Sequence, residues 1–430
     1  MSANAAEISG IWRFCNGAEF SGAAGSIDII EGTSDGIGIT LNYDFTGGGS
    51  YVAAYCDLAV PEALGQVRFR LNKPPDATIT VRIADDTGQT FQKSVYYDYV
   101  GYRDLAFDMQ GWTASWGGAA DGVLHQPIQT IGILIEKQGL SELAGNISFC
   151  RVETLIAEQT ESVPLEPKVS PYVVTDFGQD CILARFLGNA FHDGVWHIDF
   201  TSAPVAAMSG SLSLFHRPTT LAIRACASAP GARLTVDIGA HFQGFKRTIG
   251  VLDGTEQVFI FNLPPEGWEA YGAAHETLHY PLRITRIAIE RHECKAEQIE
   301  VRLGEITCET AFDHTRAVTL MSQLQDNGVQ GTSRSIAVSC SGWNLLDKAL
   351  DGMLSLEVKN WDGEIVHKED MPLSLPDSGK RESVTCQFDV PKSLRYIETA
   401  FRFVSPGQQD AQALSTFTAP LREAGYMELL

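Results

Sequence analysis

The run His275-Glu276-Thr277-Leu278-His279 is the segment of this sequence whose residue types and spacing most directly suggest chemistry. On a helix, H-E-x-x-H sets two imidazoles one turn apart on a zinc ion, with the glutamate as general base of a hydrolase. The preceding EGWEAYGAA is compatible with a helix, and a third ligand would have to come from Glu290, His292 or Glu293. Three features oppose this reading. Pro281 pushes Tyr280 out of the α region. The strand-like PLRITRIAIE follows at once and leaves a helix no room. The segment also aligns with GGAADGVLHQP earlier in the chain, where no such motif exists. A zinc hydrolase using His275, Glu276 and His279 is therefore only an alternative, and no metal site is expected.

Other catalytic patterns are missing from the sequence. It contains no G-x-S-x-G, no P-loop, and no G-x-G-x-x-G between a strand and a helix. Asp85-Asp86 in ADDTGQ reads as turn chemistry. A glycosidase needs two carboxylates roughly 5 to 10 Å apart across a cleft, and nothing singles out such a pair among 53 acidic residues. The nine cysteines are scattered without a C-x-x-C pair, which argues against a disulfide framework or zinc ribbon and for free thiols. A formal net charge of -21 excludes a general nucleic-acid binder and suits neutral or cationic partners. No apolar run is long enough to cross a bilayer, so no membrane partner is expected. MSANAAEISGIWRF lacks the basic and apolar regions of a signal peptide. That points to the cytoplasm, or to an extracytoplasmic location if a leader has been removed.

The elements that would position any site are short alternating segments broken by Gly, Pro, Asp and Asn. ITLNYDF, QVRFRLNK, ITVRIADD and ISFCRVETL are examples, and period-two alternation over such lengths means half-buried strands. The segments recur. LHQPIQTIGILIEK from Leu124 matches LHYPLRITRIAIER from Leu278 without a gap. GIGITLNYDF answers GVWHIDF, and DATITVRIADDTGQTFQKSV answers GARLTVDIGAHFQGFKRTIG. RDLAFDMQGWTASWGG answers QVFIFNLPPEGWEAYGA, and ISFCRVETL answers IEVRLGEITCE. Five matches in one order predict a duplication over 1–158 and 170–310, with His125 equivalent to His279 and Trp112 to Trp268. ESVPLEPKVSPY reads as the linker. Eight or nine strands per copy with no long helix predict two antiparallel jelly-roll sandwiches. About seven further strands over 311–422, with a hairpin turn at Asp362-Gly363, predict an immunoglobulin-like sandwich. The fold class is thus all-β throughout.

YDFTGGGSYV, ADDTGQT and the tryptophan-rich WTASWGGAADGVLHQP resemble the galactose-binding-like jelly rolls of carbohydrate-binding modules. Two such modules followed by an immunoglobulin-like one are similar to the non-catalytic amino-terminal region of large bacterial glycoside hydrolases. The resemblance implies carbohydrate binding or module spacing, with a polysaccharide or oligosaccharide as partner. It also implies a downstream TIM-barrel catalytic domain, which would begin near APLREAGYMELL, where this sequence stops. A structural calcium is compatible with the family, and Glu19, Glu31 and Glu153 could serve, although their spacing does not demand it. No other cofactor is expected. The alternative within the same fold is a scaffold that binds nothing.

Sugars are held by aromatic faces and by planar groups that bond paired hydroxyls. Strand alternation puts Asn42 and Asp44 on one polar face, Tyr51 and Tyr55 on another, and Arg68, Arg70 and Arg82 outward on their own strands. The glycine-rich loop adds Trp116 and Asp121 as a stacking platform and a polar contact. These nine residues are the expected binding set. They all lie in the first copy, because the second replaces the Tyr/Arg-rich face with His197, Asp199 and smaller groups.

Overall fold

Burial alternates along the strands as the sequence pattern requires. In β6 (Leu64–Asn72), Val67, Phe69 and Leu71 are buried, whereas Arg68 and Arg70 turn outward. A computed structural model describes residues 5–8, 10–33, 36–58, 64–96, 101–109, 112–156, 168–175, 177, 185–187, 191–192, 195–272, 278–360, 363–394 and 396–418. Among these, no helix is long and apolar enough to cross a membrane.

The first module is built from β1 (Ala5–Glu7), β2 (Trp12–Cys15), β3 (Ala24–Thr33), β4 (Gly36–Asp44), β5 (Tyr51–Asp57), β6, β7 (Thr78–Ala84), β8 (Thr90–Tyr96), β9 (Arg103–Asp108), β10 (Ala114–Trp116), β11 (Thr130–Glu136) and β12 (Ala144–Ile156). One sheet has the order β3-β4-β12-β6-β9, with β1 also on β12, and the other has the order β10-β8-β7-β11-β5-β2. All recorded pairings are antiparallel. The chain changes sheet between β4 and β5 and again between β6 and β7. The two inner faces meet in one core, in which Leu41, Phe69 and Phe149 face Val52, Val81 and Ile133.

The second module repeats this order. One sheet runs Phe191–His192, Val195–Asp199, Gln298–Phe312, Arg217–Ala227, Gln257–Asn262, with Lys168–Thr175 also on the Gln298–Phe312 strand. The other runs Arg185–Leu187, Val205–Ser213, Arg283–Glu290, Ala232–Gly239, Gln243–Leu252, Glu269–Gly272. Counted from the start of each module, corresponding strands occupy the same places, and each of the five matched sequence segments falls on corresponding strands. The segment read as a linker differs from expectation. Residues 161–167 lie outside the described residues, and Lys168–Thr175 is a strand. Pro171 is tolerated there because the strand pairs on one side only, so a missing N–H costs nothing.

The third module packs three strands, Val318–Gln330, Ser333–Asn344 and Arg381–Pro391, against four, Ile365–Leu375, Leu350–Asn360, Tyr396–Val404 and Ala411–Thr418. Asp362 of the expected hairpin turn lies outside the described residues, while Gly363 takes φ 80, a value glycine adopts freely. The second and third modules share one continuous core. At their junction the Trp343 ring packs on Phe215, centroids 4.8 Å apart, and its Nε1–H donates to the Val173 carbonyl at 2.7 Å.

The first and second modules join through the edge strand β10. Ser115 and Tyr280 exchange both backbone hydrogen bonds, at 2.6 and 2.8 Å. Arg283 donates to the Thr113 carbonyl at 3.1 Å, and Arg217 to Asp121 at 2.7 Å. An exposed sheet edge is thereby covered, and the outer face of β7 and β8 comes to look onto the second module.

Candidate functional site

The strand register fixes the floor of the site. Arg13 on β2, Tyr55 on β5, Gly132 on β11, Arg82 on β7 and Gln92 on β8 are successive neighbours across the sheet. Side chains on such a row share one face. Gly132 contributes none, so the Tyr55 ring lies across its backbone. A Cβ at position 132 would stand 2.3 Å from Tyr55 Cε1. Arg13 lies over the far side of that ring, 5.8 Å from its centroid, and pairs with Asp57 at 2.9 Å.

Arg82 is the centre of this face and only 8% exposed. Its Nε–H donates to Gln92 Oε1 at 2.7 Å, and Nη1 reaches the Tyr55 hydroxyl at 3.4 Å. Its guanidinium sits 4.3 Å from the Tyr51 ring centroid and 5.3 Å from that of Trp116. Cation–π contacts of this kind give about 0.5 to 2 kcal/mol each. Among the described residues no carboxylate lies within ion-pair reach of it. Tyr51 is buried, which raises its hydroxyl pKa well above the ordinary value, and it donates a hydrogen bond to Glu19.

The opposite wall comes from the second module. Its seventh and eighth strands are joined by a tight turn closed by Ala240 N–H to the Gln243 carbonyl at 2.9 Å. His241 and Phe242 form the tip. His241 stacks on Trp116, centroids 4.7 Å apart and planes 18° apart. Phe242 meets Phe20 of the β2–β3 loop at 5.5 Å. It is 57% exposed and has φ 58, a left-handed conformation that costs a bulky residue roughly 1 to 2 kcal/mol. Burial, then the charges of Arg82, His279 and Arg283, push the His241 pKa down to about 4, so at neutral pH a neutral imidazole faces the indole. His279 supports the turn from behind. Its Nδ1–H donates to the His241 carbonyl at 2.6 Å, and its backbone N–H to Gln243 Oε1 at 2.9 Å. Between floor and wall lies a cavity of about 810 Å³, within the range of small-molecule sites.

Tyr51, Tyr55, Arg82 and Trp116 of the expected set thus meet at one place. Asn42, Asp44, Arg68 and Arg70 do not join them. They lie on β4 and β6 in the other sheet, because the chain changes sheet after each of those strands. There Asn42 donates to Asp28 at 2.8 Å, Asp44 accepts from Thr46, Arg68 bonds Gln66, and Arg70 lies 5.7 Å over the Tyr102 ring. Asp121 stands at the module junction. It accepts from the Val123 amide, Gln89, His125 and Arg217. These bonds hold its carboxyl below the usual range although burial opposes them. Trp112 packs on Phe91 inside the module, centroids 6.0 Å apart, as Trp268 packs on Phe261 at 5.9 Å.

Sequence reasoning passed over Phe20, His241 and Phe242, and named Glu19 only as a possible calcium carboxylate. The signal for His241 and Phe242 was GAHFQG standing opposite ADDTGQT: where the first copy has turn-forming residues, the second carries two rings that no core could absorb at a hairpin tip. Asp85 of the first-copy turn is spent locally, accepting from Thr87, Gln89 and the His125 amide. His275 and Glu276 lie outside the described residues. Of the proposed carboxylates for calcium, Glu19 borders the cavity and Glu153 is on β12 in the other sheet; the side chain of Glu31 is not described. Among the described residues no group of three or more His, Cys, Asp or Glu is placed to hold a metal ion.

No family model matches the chain, and no curated protein does. Solved structures similar to it include the family 11 carbohydrate-binding module of a cellulosomal cellulase of Clostridium thermocellum, at 14% identity over 38% of this chain and 100% of that one, TM-score 0.29. A β-glucuronidase of Bacteroides uniformis matches at 10% identity over 50% of this chain and 26% of its own, TM-score 0.24. A putative β-galactosidase from Bacteroides fragilis matches at 10% identity over 58% and 35%, TM-score 0.24. The chain therefore spans about a quarter to a third of the length of these two enzymes.

Proposed function

We propose that the first module binds a carbohydrate chain in the cavity it forms with the second, as part of the accessory region of a glycoside hydrolase. The observation that carries this reading is the meeting of Tyr55, Trp116, Phe20 and Phe242 around one cavity that also receives Arg13 and Arg82. Aromatic faces take the C–H surface of a sugar ring, and guanidinium edges take its hydroxyls. The second module both closes the site and, through the core it shares with the third, acts as a stiff spacer.

Calorimetric titration of the full chain against β-glucans, xylans, galactans and polyuronates tests the proposal. A ligand held by stacking and a few hydrogen bonds should bind with Kd in roughly the micromolar to millimolar range. Tyr55→Ala and Trp116→Ala should each weaken binding about tenfold. Absence of binding to any of these glycans, or binding that survives both substitutions, leaves the scaffold reading in its place.

A further inference from the structure

We infer that the saccharide bound here carries a carboxylate, and that Arg82 is the residue that reads it. The inference rests on the carbohydrate reading above and narrows it to acidic glycans. Arg82 lines the cavity, is only 8% exposed, and has no carboxylate within ion-pair reach among the described residues. Burying a guanidinium is unfavourable unless it is paired. Here rings cover its faces: Tyr51 at 4.3 Å and Trp116 at 5.3 Å. Stacking leaves the N–H edge, of which Nε is used by Gln92, while the remaining N–H groups meet the uncharged hydroxyls of Tyr55, at 3.4 Å, and Tyr51 rather than a carboxylate. A carboxylate is the group whose geometry fits such an edge.

The charge around the cavity agrees. Its lining includes Arg13, Arg82 and Glu19; Arg13 is paired with Asp57 at 2.9 Å and Glu19 is engaged by the Tyr51 hydroxyl, so Arg82 is the lining guanidinium that has no carboxylate partner among the described residues. This cationic spot sits on a chain of net charge -21. At physiological ionic strength charges beyond about 8 Å are screened, so the local groups decide what enters. The equivalent position of the second module carries Asp237, paired with Arg286 and flanked by Lys246, so an unpaired cation there is not a requirement of the fold.

The test is calorimetry on the full chain with matched pairs: oligogalacturonate, oligoglucuronate and oligomannuronate, each beside the same oligosaccharide with its carboxyls reduced to hydroxymethyl groups. One acidic member should bind at least about tenfold more tightly than its reduced partner, the worth of one charge-assisted pair. Its affinity should fall as NaCl is raised from 50 to 500 mM, and Arg82→Gln should abolish the difference. The salt series on the unsubstituted chain keeps the test decisive if Arg82→Gln does not fold. Equal or tighter binding of reduced oligosaccharides overturns the acidic inference and leaves carbohydrate binding standing. Binding of only neutral glucans, xylans or galactans has the same meaning. No binding of any glycan overturns both.

Discussion

Tyr55 lies flat across Gly132, so close that a Cβ on the glycine would come within 2.3 Å of the ring. The contact is made possible by the register of β5 and β11, which sets the two residues directly opposite each other. Gly132→Ala should therefore lift the ring out of the cavity floor. The expected result is a loss of glycan affinity of about tenfold, with a stability change of roughly 1 to 3 kcal/mol from overpacking. Calorimetry and urea denaturation measure the two separately.

Trp116 and His241 form the contact across the module boundary that shapes the cavity mouth. His241→Ala removes one half of the stack and leaves the indole in place. Affinity should fall several-fold, by about 0.5 to 1.5 kcal/mol. Indole fluorescence should shift to the red as solvent reaches Trp116. An unchanged spectrum would show that the stack does not form.

Asp121 and Arg217 hold the modules together from the other side of β10, at 2.7 Å, with Arg217 partly exposed. Arg217→Gln should cost little stability, on the order of 1 kcal/mol or less. It should nevertheless loosen the second-module turn against the first-module sheet. Glycan affinity should drop by more than stability does.

Acidification should weaken the assembly at two histidines. Burial above all, helped by Arg316, pushes His216 down to about 4, and burial with Arg82 does the same to His241. An unfolded imidazole titrates near 6.5, so between that value and about 4 the unfolded chain binds more protons than the folded one. Stability is then full above pH 6.5 and is lost as pH falls through this window. His216→Asn, which tolerates the left-handed φ of 55 at that position, should flatten the dependence. Urea midpoints at pH 7 and pH 5 for both proteins give the measurement.

The strands were readable because one inward face per sheet leaves a period-two trace, as in Val67, Phe69 and Leu71. The candidate site was readable only in part, for two physical reasons. Alternation says that Arg68 and Arg82 both point outward, but sheet membership depends on where the chain crosses over, and that is a long-range property. Arg68 and Arg82 therefore end on different sheets. The second reason is that the wall opposite Tyr55 belongs to another module. His241 and Phe242 are more than a hundred residues from Trp116, and only the inter-module pairing of Ser115 with Tyr280 brings them to it. Lys168–Thr175 was hidden by its proline, which marks an edge strand as readily as a linker.

The central claim, that a glycan sits between Tyr55 and Trp116 under the His241-Phe242 turn, is tested most directly by a crystal structure of the full chain with its tightest-binding oligosaccharide. The account predicts sugar density in the cavity, with a ring stacked on Tyr55 or Trp116 and a polar group of the glycan on the Arg82 guanidinium. Density instead on the opposite sheet, over Asn42 and Arg70, or in a second hollow that His197, Asp199 and Glu300 line on the second module, would contradict it.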